Sequence, residues 1–343
     1  MQQIQKHDII TKIHVGPAAA DGAAAAVRRG RLSAGGFLPK AGVLALLLGA
    51  GLLTAIGQTN QPQYQFIEVP VPGPSEGLGI NDSGLVTGYY IDPTTGDVRS
   101  FLFEHRVLTT GIAAPGATIT SLGPANNLGV ESGNYGDETN QQAVFYDIRH
   151  GTYTPLPEIP GLPFSFGNGI NDFGHASGVA YTSGDWFTGG NGLGQNWIWD
   201  GRHYTFFTVP GAVNGAFAGG INDWDQVTGY FVDSSGLPQG FVKDGDKYTT
   251  LDVPGAIYTL AQGINNQGVV AGAYLDASGN HGFISSKGKF VTVDVNIPGA
   301  LGTGWYGSNE HGDLAGVFGD ASGVIHAVIA LRVNGNADRG GQE

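Results

Sequence analysis

Short runs of five to seven residues that mix hydrophobic and polar positions, separated by turn residues, occupy most of the chain. In one well-formed stretch, four such runs cover residues 259–265, 269–275, 281–285 and 289–295. Short runs bounded by Gly, Asn, Asp or Ser are typical of β-strands joined by hairpin turns. No stretch keeps the 3.6-residue apolar period of a helix. The pattern therefore predicts an all-β chain.

The sequence Gly-Ile-Asn-x-x-Gly recurs at a nearly constant interval. Its asparagines, including two in divergent copies, stand at positions 81, 126, 171, 222, 265 and 309, so the steps are 45, 45, 51, 43 and 44 residues. In the fourth copy Asp225 replaces the glycine that follows the asparagine. A four-stranded repeat of about 40–50 residues has the size of a propeller blade. Six copies predict a six-bladed β-propeller of four-stranded blades.

The two ends of this repeat array are out of phase with each other. Residues 64–71 match the fourth strand of a unit but precede the first Gly-Ile-Asn, whereas the sixth unit ends near residue 333 after its third strand. We therefore expect the N-terminal strand to fill the outer position of the last blade and to close the ring. The predicted domain covers residues 58–333, and a polar tail covers 334–343.

Residues 1–57 differ from the rest of the chain in composition. They hold six basic and two acidic residues, followed by an apolar run at 41–56 of only Ala, Gly, Val, Leu, Ile and one Thr. This run is shorter than the roughly 20 residues of a spanning helix and suits the core of a signal peptide cleaved before Gln58. We predict an export signal and an extracellular or periplasmic protein. The alternative is an uncleaved membrane anchor through residues 41–56.

The composition excludes several classes of function. The absence of cysteine rules out a disulfide scaffold, a thiolate zinc site and a cysteine nucleophile. The net charge of −13 argues against a nucleic-acid partner, because phosphate contacts require clustered Lys and Arg. The chain contains no nucleophile elbow, zinc-protease helix or P-loop motif. The sequence predicts neither a cofactor nor a metal site.

Two polar positions recur in nearly every unit. One is the asparagine of Gly-Ile-Asn, and the other is an aspartate that follows the second strand. Side chains of this type close turns by accepting hydrogen bonds from the backbone two or more residues later. We interpret both as turn caps, with a ring of ligand contacts as the alternative for the asparagines. The aspartates are Asp92, Asp137, Asp233, Asp276 and Asp320.

A third repeated position is a candidate for ligand binding. The third strand of each unit begins with a long polar side chain, beside the loop that we expect on the docking face of a propeller. The alternative is that these side chains bond to the backbone of a neighbouring blade. The residues are Arg99, Gln142, Gln195, Gln239, His281 and His326.

Two further candidates are deviations from the repeat. The third unit is about six residues longer than the others, and its extra loop carries Asp185, Trp186 and Phe187, which would suit the stacking of a sugar. In the sixth unit Trp305 and Tyr306 replace small or polar residues of the inner strand, so we expect them to narrow the central channel. Simple packing is the alternative for both groups.

The repeat resembles a family of bacterial exported proteins named for a His-Ala-Phe repeat. The matching third element stands as His281-Gly282-Phe283, Gln239-Gly240-Phe241 and His326-Ala327-Val328. The resemblance covers about residues 64–333 and implies an extracellular or periplasmic propeller, with no settled activity or catalytic set.

Two functions follow from these observations as hypotheses. The first is a monomeric exported propeller that binds a polysaccharide or a cell-surface protein without catalysis, since several similar units suit multivalent binding. The second is a glycan-active lyase or hydrolase on the loop face. Its candidate groups are Arg99, His281, His326, Trp186 and Trp305, with carboxylates such as Glu76, Asp185 and Glu310 as acid or base.

Overall fold

A computed structural model describes residues 62–182, 194–213 and 215–333. This part of the chain contains twenty-four β-strands and no helix, which confirms the predicted all-β class. Accordingly, the described residues include no helix long and apolar enough to cross a membrane. The predicted export segment 1–57, the tail 334–343 and the loop residues Asp185, Trp186 and Phe187 lie outside the described residues.

Five consecutive antiparallel units of four strands follow the repeat. The first contains β2 (Ser75–Ile80), β3 (Val86–Ile91), β4 (Val98–Glu104) and β5 (Val107–Ile112). The second contains β6 (Ile119–Ala125), β7 (Val130–Gly136), β8 (Gln141–Asp147) and β9 (Thr152–Pro155). The third contains β10 (Phe164–Ile170), β11 (Ala176–Tyr181), β12 (Gln195–Trp199) and β13 (Tyr204–Phe207). The fourth contains β14 (Ala216–Ile221), β15 (Val227–Val232), β16 (Pro238–Asp244) and β17 (Lys247–Leu251). The fifth contains β18 (Tyr258–Ile264), β19 (Val270–Leu275), β20 (Asn280–Ser286) and β21 (Lys289–Thr292).

A sixth unit combines the two ends of the described chain. It contains β22 (Gly302–Ser308), β23 (Leu314–Gly319) and β24 (Ile325–Val333), and its outer strand is β1 (Gln63–Glu68). Strand β1 pairs antiparallel with β24 over six residue pairs, so the sheet order is β1-β24-β23-β22. The N-terminal strand thus occupies the place that the out-of-phase repeat predicted for it.

The hydrophobic core lies between neighbouring units. One cluster packs Val86, Phe101 and Phe103 of the first unit against Ala315 and Ile329 of the sixth. The units therefore stabilise one another through apolar surfaces that none of them can bury alone. Residues of the first strands of all six units, β2, β6, β10, β14, β18 and β22, line one cavity, and we call these the inner strands.

Glycine in the second strand of each unit permits close packing within the sheet. At Gly178, an added Cβ would collide with the Phe166 carbonyl oxygen and with the ring of Trp197. Trp197 is fully buried and pairs with Gly178 across β11 and β12. The repeated glycine is thus a steric requirement of the sheet.

Candidate functional site

The six asparagines of the repeat lie at one end of the inner strands. Asn171 Oδ1 accepts hydrogen bonds from the backbone N–H groups of Phe173 (3.1 Å) and His175 (2.9 Å). Its Nδ2 donates to the carbonyl oxygen of Asn222 in the next unit (3.0 Å). The other five make equivalent bonds, and Asn309 donates to the Asn81 carbonyl oxygen (3.1 Å). Their interpretation as turn caps is confirmed, and they also join one unit to the next.

A second ring surrounds the same end. The residue after each asparagine accepts a hydrogen bond from the backbone N–H of its counterpart in the preceding unit, as Asp172 Oδ1 does from Asn127 (2.7 Å) and Asp82 Oδ1 from Glu310 (2.8 Å). Four members are carboxylates and two are amides. They border a cavity of about 110 Å³, which we call the narrow cavity. The ring residues are Asp82, Asn127, Asp172, Asp223, Asn266 and Glu310.

Three large apolar side chains are exposed just outside this ring. Leu128, Phe173 and Trp224 are 73%, 73% and 70% exposed, and each stands two residues after its asparagine in three consecutive units. The indole Nε1 of Trp224 donates to the Asn266 carbonyl oxygen (3.1 Å), which fixes the orientation of the ring. Exposed apolar groups clustered in this way mark interaction surfaces. We call these three residues the apolar arc.

A larger cavity of about 340 Å³ lies toward the opposite end of the inner strands, and we call it the wide cavity. Its walls include Phe164, Phe166 and Phe217. Glu76 also lines it, together with Tyr89, its partner across β2 and β3 in the first unit, and Tyr306 of the sixth unit. The Glu76 side chain is fully buried at this wall. Burial, and then the adjacent Glu76 carboxyl, raise the pKa of the Tyr89 and Tyr306 hydroxyls well above its usual range. Both tyrosines are therefore neutral hydrogen-bond donors near neutral pH.

The wide cavity has its rim on the face that the sequence predicted for docking. Thr118, in the junction between the first and second units, and Glu138, in the loop between β7 and β8, are exposed and line it. Deeper in the second unit, Asn134 Nδ2 donates to Gln141 Oε1 (2.7 Å). The cavity is asymmetric, because the first three units contribute most of its lining.

The predicted third-strand residues are held within their own units and by the following junction. His281 Nδ1 lies 2.8 Å from Asp294 Oδ2 and its Nε2 lies 2.9 Å from Ser278 Oγ. His326 contacts Glu68 (3.1 Å) and Asp320 (3.2 Å).

The other third-strand residues also lie apart from one another, each with partners of its own. Arg99 pairs with Asp97 and donates to the Ala117 carbonyl oxygen (3.0 Å). Burial raises the pKa of the Asp233 carboxyl, but hydrogen bonds from Ser235, Leu237 and Gln239 outweigh it, so the pKa lies below its usual range. Gln239 is therefore engaged with Asp233 of its own unit. Gln142 Nε2 donates to the Leu156 carbonyl oxygen (2.8 Å), and Gln195 is exposed at the start of β12. These side chains, one in each unit, do not converge on a common pocket.

The two aromatic residues of the sixth inner strand have different positions. Trp305 is fully buried between units, where its Nε1 donates to the Val293 carbonyl oxygen (2.7 Å) and its ring stacks on Phe66 at 6.3 Å. It does not line either cavity. Tyr306 is half-buried and lines both. Of the two residues expected in the channel, the structure places only Tyr306 there.

Sequence reasoning missed the apolar arc and the tyrosine at position 89. The arc had a visible signal, because Leu128, Phe173 and Trp224 put large apolar residues at a turn position that holds Ser83, Gln267 or His311 in the other units. Tyr89 gave no such signal, since it belongs to an ordinary strand pattern.

The comparisons with known proteins concern the fold. No protein-family model matches the chain, and no curated protein matches it. A gluconolactonase from Xanthomonas campestris is similar in structure, with 10% identity, coverage of 79% of this chain and 90% of that one, and a TM-score of 0.50. A fucose-specific lectin from Aleuria aurantia has 10% identity, coverage of 80% and 100%, and a TM-score of 0.48. The β-propeller domain of the trilobed protease from Pyrococcus furiosus has 9% identity, coverage of 76% and 84%, and a TM-score of 0.45. The class defined here is an all-β protein whose structural neighbours include β-propellers.

Proposed function

We propose that this chain is an exported, monomeric six-bladed β-propeller, closed by its first strand, that binds a neutral polysaccharide without catalysis. The pairing of β1 with β24 and the bond from Asn309 to Asn81 support the closed ring. The composition of residues 1–57 supports export. The His-Ala-Phe-repeat resemblance of residues 64–333 supports membership in that family.

The observation that carries the binding proposal is the apolar arc beside the ring of carboxylates and amides. Aromatic faces such as those of Phe173 and Trp224 pack against the C–H faces of sugar rings, and carboxylate oxygens accept hydrogen bonds from sugar hydroxyls. The Trp224 side chain is already fixed by its bond to Asn266, so little side-chain entropy is lost on binding.

The geometry and charge of this surface narrow the ligand class. The arc lies at the tips of turns in three successive units, which suits an extended chain better than a small enclosed molecule. Four carboxylates in the adjacent ring, Asp82, Asp172, Asp223 and Glu310, disfavour an anionic polymer by like-charge repulsion. A neutral polysaccharide satisfies both conditions.

Affinity electrophoresis in gels that contain neutral polysaccharides tests this proposal. We expect Trp224→Ala to weaken binding at least about ten-fold, as the loss of an aromatic anchor does at other interfaces. Phe206→Ala is the matched control, because Phe206 is an exposed aromatic residue on β13, outside the arc. Retention of binding by Trp224→Ala would contradict the proposal. Binding of a cell-surface protein that W224A abolishes, without polysaccharide binding, would assign the arc to a protein partner.

The second candidate function is a glycan-active enzyme with its site in the wide cavity. Glu76 and Glu138 both line this cavity, and most glycoside hydrolases use a pair of carboxyl groups as acid and as base or nucleophile. Glu310 lies instead at the narrow cavity. Release of reducing ends from a polysaccharide panel, abolished by Glu76→Gln and by Glu138→Gln, would favour the enzyme. Release that persists in both variants would exclude this pair.

A further inference from the structure

Two amide side chains that are bonded to each other line the wide cavity. Asn134 Nδ2 donates to Gln141 Oε1 (2.7 Å), and among the described residues neither side chain makes another hydrogen bond. The carbonyl oxygen of Asn134 and the NH2 group of Gln141 are therefore unused. Asn134 and Gln141 are only 7% and 8% exposed, yet neither unused atom is among the fully enclosed polar atoms of the described chain that lack a partner. Because both residues line the cavity, these atoms are open to a ligand there.

The pair offers one donor and one acceptor in either orientation of the two amides. If both amides are reversed, the NH2 group of Gln141 donates to the carbonyl oxygen of Asn134. The free groups are then an NH2 on Asn134 and a carbonyl oxygen on Gln141. A complementary ligand must therefore carry a donor and an acceptor side by side.

A hydroxyl group lies next to the pair, and the wall around it is apolar. Ser121 stands directly opposite Asn134 across β6 and β7, so the two side chains share one face of the sheet. Phe164 is the partner of Gln141 across β8 and β10, and Phe166 follows on the same face of β10. All of these residues line the cavity. A few uncharged polar groups in an apolar wall are typical of small-molecule sites.

The other units show that the framework does not require these amides. The residue after the second-strand glycine is Asn134 in the second unit, but Val179 in the third and Val317 in the sixth. The third strand begins with Gln141 in the second unit and with Val98 in the first. Burying two amides at positions where valine satisfies the sheet costs free energy, because each amide keeps an unused donor or acceptor. A ligand that bonds to both amides offsets this cost.

We infer that the wide cavity binds a small uncharged amide with an apolar body, whose carbonyl oxygen and N–H group pair with the free donor and acceptor of Asn134 and Gln141. The volume of about 340 Å³ falls within the range of about 300–1,000 Å³ that ligand pockets have. No lysine, arginine or histidine lines the cavity, so an anionic ligand would enter without a counter-charge. The cavity lies toward the opposite end of the inner strands from the apolar arc. Amide binding is thus independent of polysaccharide binding, and either can fail alone.

Isothermal titration calorimetry with three ligands of the same shape tests the inference. The probes are 3-phenylpropanamide, 4-phenylbutan-2-one and 3-phenylpropanoate, which differ only in the NH2, CH3 or O⁻ group on one carbonyl carbon. We expect the amide to bind at least about ten-fold more tightly than the ketone, because the ketone leaves the acceptor of the pair without a donor. A purely apolar cavity would favour the ketone, which costs less free energy to remove from water. Equal binding, a preference for the ketone or the carboxylate, or no binding of the amide would overturn the inference.

Two variants locate the site. Asn134→Val combined with Gln141→Val removes both amides together, so neither remains as an unpaired buried group. We expect this double variant to bind the ketone more tightly than the amide, and a retained preference for the amide would overturn the role of the pair. Gln262→Leu is the matched control, because Gln262 is another amide in the lining but lies on β18 of the fifth unit. It should keep the preference of the parent protein, whereas its loss would assign amide recognition to Gln262 and overturn the role of the pair.

A measurement on the parent protein decides the location even if the double variant fails to fold. The side-chain NH2 signals of Asn134 and Gln141 in the NMR spectrum should shift when 3-phenylpropanamide is added. Signals that stay unchanged while the amide binds would place the amide elsewhere and overturn the inference.

Discussion

The two ends of the inner strands are built from the same repeat, yet they differ in nearly every property that matters for a site. At the narrow cavity all six units contribute an asparagine and the residue that follows it, and each of these side chains is fixed by a hydrogen bond to a neighbouring unit. At the wide cavity the first three units dominate, and aromatic groups surround one buried carboxyl. Positions that repeat build the framework, whereas positions that deviate from the repeat create individual chemistry.

Each end of the inner strands has one fully buried glutamate, and the two differ in their surroundings. Glu76 belongs to the wide cavity, beside Tyr89 and Tyr306. Glu131 lies on β7 opposite Ala125, next to the narrow end, and neither of its carboxyl oxygens has a hydrogen-bond partner. At the equivalent position the third unit has Ala176, an apolar residue that is fully buried. Burial raises the pKa of Glu131 well above its usual range.

We expect the largest effect on the free energy of unfolding from Asn171→Ala at the narrow end. The substitution removes the acceptor of two part-buried turn N–H groups and the buried donor to the next unit. At about 1 kcal/mol for each lost bond, we expect a loss of about 3 kcal/mol in the free energy of unfolding, measured by urea denaturation. Gln262→Ala, in the wall of the wide cavity, should stay within about 0.5 kcal/mol of the parent. Equal effects at the two positions would remove the distinction between framework and site.

We expect an intermediate, pH-dependent effect on the free energy of unfolding from Glu131→Gln. The native carboxyl keeps its proton to a higher pH than the unfolded chain, whose glutamates titrate near 4.3. Folded protein therefore binds more protons above that pH, and the stability of the parent protein falls as the pH rises toward the native pKa. We expect the variant to match the parent near pH 4 and to exceed it by about 1–3 kcal/mol at pH 7.

Urea denaturation at several pH values measures this difference, with the exposed Glu158→Gln as control for the removal of one negative charge. Parallel stability curves for the parent protein and E131Q between pH 4 and 7 would show that the Glu131 carboxyl costs nothing in its buried position.

The smallest effect is expected from Gly174→Ala in the turn that Asn171 closes. Gly174 has φ of +76° and an added Cβ would meet no atom within 4 Å, so only the left-handed backbone opposes the substitution. This strain costs about 1–2 kcal/mol, and it lowers the midpoint of thermal unfolding by a few degrees. Gly319→Ala, which also adds a Cβ in open space but has no positive φ, should leave the midpoint unchanged. A lowered midpoint in both variants would point to a cause other than φ.

Most of the framework could be predicted from the sequence, because the interactions that form each unit are local and recur in every repeat. The asparagine caps, the aspartate turns and the extra N-terminal strand each follow from a pattern that recurs every 43 to 51 residues. Asp276, for example, accepts a hydrogen bond from the Ser278 N–H (2.7 Å), as a turn cap should. The ligand-binding residues could not be predicted in the same way. Six polar residues at equivalent third-strand positions suggested a ligand ring, but His281 and His326 are occupied by carboxylates of their own unit.

By itself, the amino-acid sequence determined the all-β class, the number of repeated units and the turn chemistry, since these depend on residues within one repeat. Only the tertiary structure decided that Trp305 is buried between units while its neighbour Tyr306 faces the cavities. Successive residues of a strand point to opposite faces, and which face is solvent, core or cavity depends on the units packed around it. Packing between units also brings Glu76 of the first unit beside Tyr306 of the sixth. These residues are 230 positions apart in the chain, and no local pattern encodes their proximity.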